Sequence, residues 1–277
     1  MSTLRRLAVV AGSGSLVVEA VAFARRAGWP LLVMALAPRS DLGDVPVMPL
    51  DLSDPMGAFA AMREFGATDV CLVGGVHIPD AARERLATLM PGGAAGPLPV
   101  GDAGLSALGA TVEKLTGARL VGIHELLPEL LAPVGVIGGP EPDGVTLDAA
   151  RFALQTARAI GALDIGQAAV CAGRRVIAVE DIAGTDALIA RVGEYRQSGI
   201  AGDGKARLLL AKAMKPHQPM FVDLPAIGPA TVSRAAMAGI ATIAVEAGRS
   251  LVLDRALLVD AAMREGVTVL GLTLEDD

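Results

Sequence analysis

Aromatic residues are scarce in this 277-residue chain, at 3% with a single Trp and a single Tyr. The hydrophobic fraction is nevertheless 52%, so any core must be built from Ala, Val, Leu and Ile. That composition suits parallel strands covered by helices and argues against an aromatic-rich sandwich. Cysteine is almost absent. Cys71 and Cys171 each sit inside an apolar run without metal-ligand spacing, so they read as buried thiols of a reducing compartment. A basic excess is missing too: 24 Lys and Arg stand against 30 Asp and Glu, a net charge of -6. No basic excess is there to neutralise a phosphate backbone, which argues against nucleic acid as a partner, while local basic clusters could still serve a small anionic substrate. No uncharged apolar run reaches the ~20 residues of a membrane span. The start, Arg5-Arg6 followed by Leu7 to Val10, has the look of a secretory leader. Gly12-Ser-Gly14 interrupts it and Glu19 ends it, so a strand and turn fit better. The expectation is a cytoplasmic protein, and the length suggests two domains.

What is present is an alternation of short apolar runs with helical segments. Leu7 to Ala11 is a strand, Leu16 to Arg26 a helix ended by Gly28, and Pro30 to Ala35 a second strand. This βαβ opening predicts a parallel sheet with right-handed crossovers. It repeats through Val45 to Leu50, a helix over Pro55 to Phe65 and a strand over Asp69 to Val73. Residues 91–101 are rich in Gly, Pro and Ala and read as a loop, and Ala118 to Gly122 as a further strand. Pro133, Gly135, Gly138-Gly-Pro140, Pro142 and Gly144 mark 133–145 as the interdomain linker, between domains of 1–132 and 146–277. In the second half, Ala168 to Cys171 and Val176 to Glu180 flank Gly173 as a hairpin, which would make that sheet mixed. The fold class expected is α/β in two domains.

One stretch concentrates chemistry. Lys212, Lys215, His217, Gln218 and Asp223 fall between an apolar strand over 207–214 and a helix that starts at Pro229. Three prolines stiffen that connection, and a stiff loop is the better catalytic platform. Local chemistry alone fits a surface loop of solvated charges equally well. A second cluster lies at Glu180, Gly184, Thr185 and Asp186. Thr185 makes a good N-cap and Asp186 favours the helix dipole, which is a sufficient structural account of both. Glu180 ends an apolar strand, and with Asp186 and Asp223 it could hold a hard cation such as Mg²⁺. Asp164 and Gln167 could add an oxygen or a hydrogen bond. Glu246 is another acid at a strand end, and a solvated terminus explains it as well as a site does. Asp254 reads as a helix cap.

Gly12-Ser13-Gly14, between a strand and a helix, is half of a dinucleotide fingerprint, with Val17 where the third glycine would stand. A tight turn and an anion site explain it equally. Arg39 and Asp41 both stand near the end of the second strand. Gly74 and Gly75, with His77, follow another strand at the edge where open α/β sheets bind ligands.

Taken together, Val9 to Gly14, Asp164 to Gln167, Val179-Glu180 into Gly184-Thr-Asp186, Lys215-Pro-His-Gln218, Asp223 to Pro229 and Val245 to Gly248 resemble the LpxI-type UDP-2,3-diacylglucosamine pyrophosphatases of lipid A biosynthesis. The resemblance covers nearly the whole chain and departs from the family pattern at Ala183, Pro219 and Met220. It implies a Rossmann-like first domain and Mg²⁺-dependent hydrolysis of a nucleotide-sugar lipid to UMP and 2,3-diacylglucosamine 1-phosphate. Asp223 is then the leading catalytic and metal-binding carboxylate, with Lys212, Lys215 and Gln218 beside it and Asp186 and Glu180 as further metal ligands. Gly12, Ser13, Gly14, Gly74, Gly75, Gln167, Gly184 and Thr185 would contact substrate. A diacylated product also implies transient contact with the inner membrane surface. The rival readings are an NAD(P)-dependent oxidoreductase, resting on the glycine turn, and a non-catalytic nucleotide- or lipid-binding protein.

Overall fold

The computed structural model of the chain describes residues 5–51, 54–75, 102–201, 207–216, 218–221 and 224–274, with side chains from 109 onward in the segment that begins at 102. His77, residues 91–101, His217 and Asp223 lie outside the described residues. Two compact units result, one from residues up to 128 together with 218–221, the other from 129 onward without that short segment.

The first unit runs β1 (Leu7–Ala11), α1 (Leu16–Arg26), β2 (Leu31–Ala35), β3 (Val47–Pro49), α2 (Pro55–Phe65), β4 (Asp69–Val73), α3 (Asp102–Thr116), β5 (Arg119–Val121) and the single-turn α4 (Ile123–Leu126). Its strands order as β3-β2-β1-β4-β5, and every pair is parallel. This is the parallel sheet expected from the βαβ opening and the Rossmann-like arrangement that the family resemblance implies. Local sequence sets the elements. In α1 the buried residues are Val17, Ala20, Val21 and Ala24, a helical stripe one face wide. Asp54 caps α2 by accepting from the Gly57 N–H at 3.1 Å, Pro55 opens it, and Gly66 closes it in the left-handed conformation. Ala8, Met34, Val70 and Leu120 from the sheet pack with Phe59 and Met62 of α2 and Val112 of α3. Each large side chain buried in this way contributes roughly 1.5–3 kcal/mol.

The second unit contains β6 (Gly135–Gly138), α5 (Gly144–Ala162), β7 (Ala168–Ala172), β8 (Arg175–Val179), α6 (Gly184–Gln197), β9 (Leu208–Lys212), β10 (Ala226–Ile227), α7 (Pro229–Met237), β11 (Ile240–Glu246), β12 (Leu251–Val252), α8 (Arg255–Glu265) and β13 (Thr268–Leu272). The main sheet orders as β6-β13-β11-β9-β7-β8. It is mixed, as the hairpin predicts: β6 and β7 run against their neighbours and the others are parallel. Ala150, Ala153, Leu154 and Ala157 of α5 cover one face, against Ala169, Leu209, Ala211, Ala244 and Leu270. Side chains of α6, α7 and α8, among them Leu188, Val232 and Leu258, pack with Val170, Leu210 and Ile243 in a separate cluster.

Two expectations are corrected and a third is qualified. Residues 133–145 are not a linker, because 135–138 form β6, an edge strand paired antiparallel to β13. The glycines there serve close packing: a Cβ on Gly138 would lie 3.2 Å from Ala262 Cβ, and one on Gly139 would collide with the Val267 carbonyl. Thr185 is not the N-cap of α6; Ala183 takes that position, and the Thr185 hydroxyl bonds elsewhere. Asp254 does stand at the N-cap position of α8, as expected, but with a positive φ of 48°, and its side chain makes no capping bond.

Candidate active site

Because β8, β9 and β11 run the same way and β7 against them, one edge of the second sheet gathers several polar residues. Glu180 follows β8, Gln167 precedes β7, Lys212 ends β9 and Glu246 ends β11. Glu180 is only 6% exposed. One of its oxygens accepts from the Gln167 N–H at 2.8 Å and the other from the Thr185 hydroxyl at 2.7 Å. A carboxylate can only accept, so the Thr185 proton is committed to Glu180. Toward an anionic substrate, Thr185 therefore offers its backbone N–H at the start of α6, whereas the Gly184 N–H already donates to the Asp181 carbonyl at 2.9 Å. Gly166 lacks a side chain because Glu180 fills the place: a Cβ there would lie 2.7 Å from the Glu180 carbonyl oxygen.

Asp186 faces differently. It forms an exposed ion pair with Arg234 at 2.7 Å. Asp181, next to Glu180 in sequence, pairs with Arg191 at 2.7 Å, and that hydrogen bond holds the Asp181 carboxyl below its usual value. Arg191 also donates to the Val179 carbonyl, which fastens the end of β8 to α6.

The two lysines are held by different means. Lys212 is buried, and its ammonium donates to the Ala226 carbonyl of β10 at 3.1 Å. Lys215 is ion-paired with Asp164, a non-glycine residue at a φ of 57°. Gly161 makes room for it, since a Cβ there would stand 3.3 Å from Lys215 Cα. An ammonium has three donors, so the pair with Asp164 by itself uses only one of those of Lys215. Glu246 is buried as well, accepting from the Met214 N–H at 3.1 Å, with Arg249 3.6 Å from its other oxygen. The strand ends of the sequence thus come together around the exit of β9. Glu246 was legible only as an acid at a strand end; its bond to Met214 depends on strand order.

In the first unit, Gly12-Ser13-Gly14 follows β1 and Gly74-Gly75 follows β4, at the point where strand order reverses. The turns are stitched together. Ser13 N donates to Gly75 O at 2.9 Å, Gly75 N to Ser13 O at 3.1 Å, and Gly12 N to Val73 O at 2.8 Å. Gly74 adopts a φ of 85°, and a Cβ on Gly12 would strike the Gly75 carbonyl. An anion here would have to be met by the Leu16 and Val17 N–H groups at the start of α1, since the Val18 N–H already donates to the Ser15 carbonyl at 2.9 Å. Arg39, noted from sequence near the end of the second strand, completes the turn. Its guanidinium donates to the carbonyls of Gly12 and Gly14 and to Asp41, and the bond from Arg39 holds the Asp41 carboxyl below its ordinary value. Gln218 and Phe221 belong to this unit too: Gln218 is 8% exposed, and Phe221 packs beside Gly109 and the α2–α3 cluster.

Two α/β units, the second with buried carboxylates and lysines at one sheet edge, define a two-domain α/β protein of a kind suited to anionic substrates. The comparisons make this specific. Residues 6–130 match the LpxI N-terminal domain and residues 133–270 the LpxI C-terminal domain, so the chain belongs to the LpxI family. The UDP-2,3-diacylglucosamine pyrophosphatase LpxI of Caulobacter vibrioides is 38% identical over 276 residues, covering 97% of this chain and 98% of that protein. Among solved structures, a UDP-glucose 4-epimerase of Thermus thermophilus in complex with NAD aligns over 97% of this chain and 86% of its own, at 15% identity and a TM-score of 0.32. A likeness that slight carries no argument about ligand.

Proposed function

We propose that the chain hydrolyses the diphosphate of UDP-2,3-diacylglucosamine, releasing UMP and 2,3-diacylglucosamine 1-phosphate. The observation that carries this is the match, nearly end to end, to the Caulobacter enzyme of that name. The chemistry of the second unit supports it. A diphosphate resists water because its negative charge repels nucleophiles, and hydrolysis needs that charge offset as it shifts toward the leaving phosphate. Lys212 and Lys215 supply positive charge at the exit of β9. The N–H of Thr185 supplies a donor at the start of α6, where the helix dipole also favours an anion. Asp223 orients the attacking water and draws its proton, and Gln218 contributes a neutral hydrogen-bonding group.

Mg²⁺ fits this oxygen-rich edge in part. Glu180 is a buried hard donor whose oxygens each accept one hydrogen bond and keep a lone pair. Asp186 would first have to leave Arg234. Among the described residues, no group of three or more His, Cys, Asp or Glu could hold a metal by itself, and Asp223 lies outside them. Asp223 with Glu180 would form the core of the ligand set, and the bound ion would neutralise phosphate charge and acidify water. A diacylated substrate resides in a bilayer, so the reaction belongs at the cytoplasmic face of the inner membrane. No helix among the described residues is long and apolar enough to cross it, which leaves peripheral contact.

The test is release of UMP from UDP-2,3-diacylglucosamine with Mg²⁺ and then with EDTA, by wild type and Asp223→Ala. Metal-dependent release that is lost in the folded variant is expected. No release by folded wild type would refute the reaction, and release indifferent to EDTA would remove Mg²⁺ from it. Full activity in Asp223→Ala would move the centre elsewhere.

A further inference from the structure

We propose that Glu246 is a positioning residue of this site, fixing the peptide from which the lysine-bearing loop departs. The role in turnover rests on the diphosphatase reading above; the structural clamp does not.

β11 lies beside β9 with Val245 opposite Lys212, so Glu246 closes its strand one position beyond the last residue of β9. Its side chain is 4% exposed. The carboxylate accepts from the Met214 N–H at 3.1 Å. On the other side of β9, the Ala213 N–H donates to the Gln167 carbonyl at 3.0 Å, and the Gln167 N–H donates to Glu180 at 2.8 Å. Two successive peptides at the exit of β9 are therefore tied in opposite directions, Ala213 toward β7 and Met214 toward β11. With both N–H groups held, the direction in which the chain leaves the sheet is set, and the next residue is Lys215.

A charged acceptor makes a shorter and stronger bond to a backbone N–H than a neutral one. The same burial makes the carboxylate expensive to keep, which an apolar side chain at this strand end would avoid. Arg249, 3.6 Å away, offsets part of that cost. A purely structural cap of the 246–250 turn would explain the pair with Arg249 but not the reach across to Met214. The bond across to Met214 is the one that matters for Lys215. Displacing a substrate-positioning group by about 1 Å costs on the order of 10²-fold in rate.

The experiment compares Glu246→Leu and Glu246→Gln with wild type, well below the unfolding temperature. It reads UMP release and hydrogen exchange of the Met214 amide. In Glu246→Leu the Met214 amide should exchange faster. Its kcat and kcat/KM should fall together by about 10²-fold with KM unchanged, as for an interaction that serves the transition state. Glu246→Gln, whose amide oxygen still accepts from Met214, should recover most of both. Wild-type kcat per folded molecule in Glu246→Leu would overturn the proposal, as would unchanged Met214 exchange. So would a loss of activity matching only the loss of folded protein, counted by circular dichroism. If wild type releases no UMP, the diphosphatase reading fails separately and Met214 exchange alone decides the clamp.

Discussion

Asp69 opens β4 at the amino edge of the first sheet and is the most heavily bonded carboxylate there. Arg5 reaches it with two nitrogens at 3.0 and 3.2 Å, Arg119 with one at 3.2 Å, and the Thr68 hydroxyl at 2.8 Å. Its side chain is 8% exposed. Burial opposes its ionisation, but the bonds from Arg5, Thr68 and Arg119 outweigh burial and hold the carboxyl below its ordinary value. Asp69→Asn keeps the shape, removes the charge and turns one acceptor into a donor that faces a guanidinium. Hydrogen bonds to charged groups contribute about 1.5–3 kcal/mol each. Both arginines reach solvent, with Arg119 54% exposed, so the full sum is not recovered. A net loss of about 2 kcal/mol is expected, or roughly 6 °C in the melting of the first unit. The sign of the pH dependence follows from the depressed pKa. The stabilisation is fully present above the unfolded carboxyl value of about 3.9 and is lost as pH falls through the lower folded value. Wild type and Asp69→Asn should therefore differ in urea denaturation at pH 7 and converge in strong acid. UMP release at pH 7 should not change, because Asp69 stands at the edge opposite Gly74 and Gly75. A stability gap that stayed constant from pH 7 down to pH 2, or fell under about 0.5 kcal/mol at pH 7, would refute the reasoning.

Two other outcomes follow from burial. Burial pushes the Cys71 thiol up to about 12 and the Cys171 thiol up to about 11, so neither should react with a thiol reagent at pH 8 until the protein is unfolded; prompt labelling of the native protein would contradict their placement. Ser250 is 0% exposed, and its hydroxyl has no hydrogen-bond partner among the described residues. Ser250→Ala should accordingly stabilise the second unit by about 1 kcal/mol in urea denaturation, and a loss of stability would show that the hydroxyl is bonded in solution.

Most elements were legible because their punctuation was local. Leu16–Arg26 and Pro55–Phe65 appear with the bounds expected, set by the glycine turn and Gly28 for one and by Asp54, Pro55 and Gly66 for the other. The β7–β8 hairpin turns at Gly173, with a φ of 59°. β6 was missed because its glycines imitate a linker, although they are required by packing against α8 and β13, information that no local window contains. Thr185 misled for a related reason. As a helix-start residue it satisfies the rule for an N-cap, yet a buried carboxylate five positions earlier competes for its hydroxyl and wins. The candidate site was readable as a set of residue types through family resemblance. How those residues divide the work was not, since the bonds of Glu180, Lys212 and Glu246 depend on which strands neighbour which.

Residues 218–221 return to the first unit long after the chain has left it, and Gly109 owes its missing side chain to the ring of Phe221, which comes within 3.1 Å of where a Cβ would be. The gene therefore does not divide as the fold does. An amino-terminal fragment cut near Pro128 would carry every strand of its sheet and still lack a piece of its own interior. Swapping that fragment between relatives would exchange a lock without its tumbler unless the short distal segment travelled with it. Mutational tolerance at Gly109 should likewise track what stands at position 221, linking two sites that lie in different halves of the message.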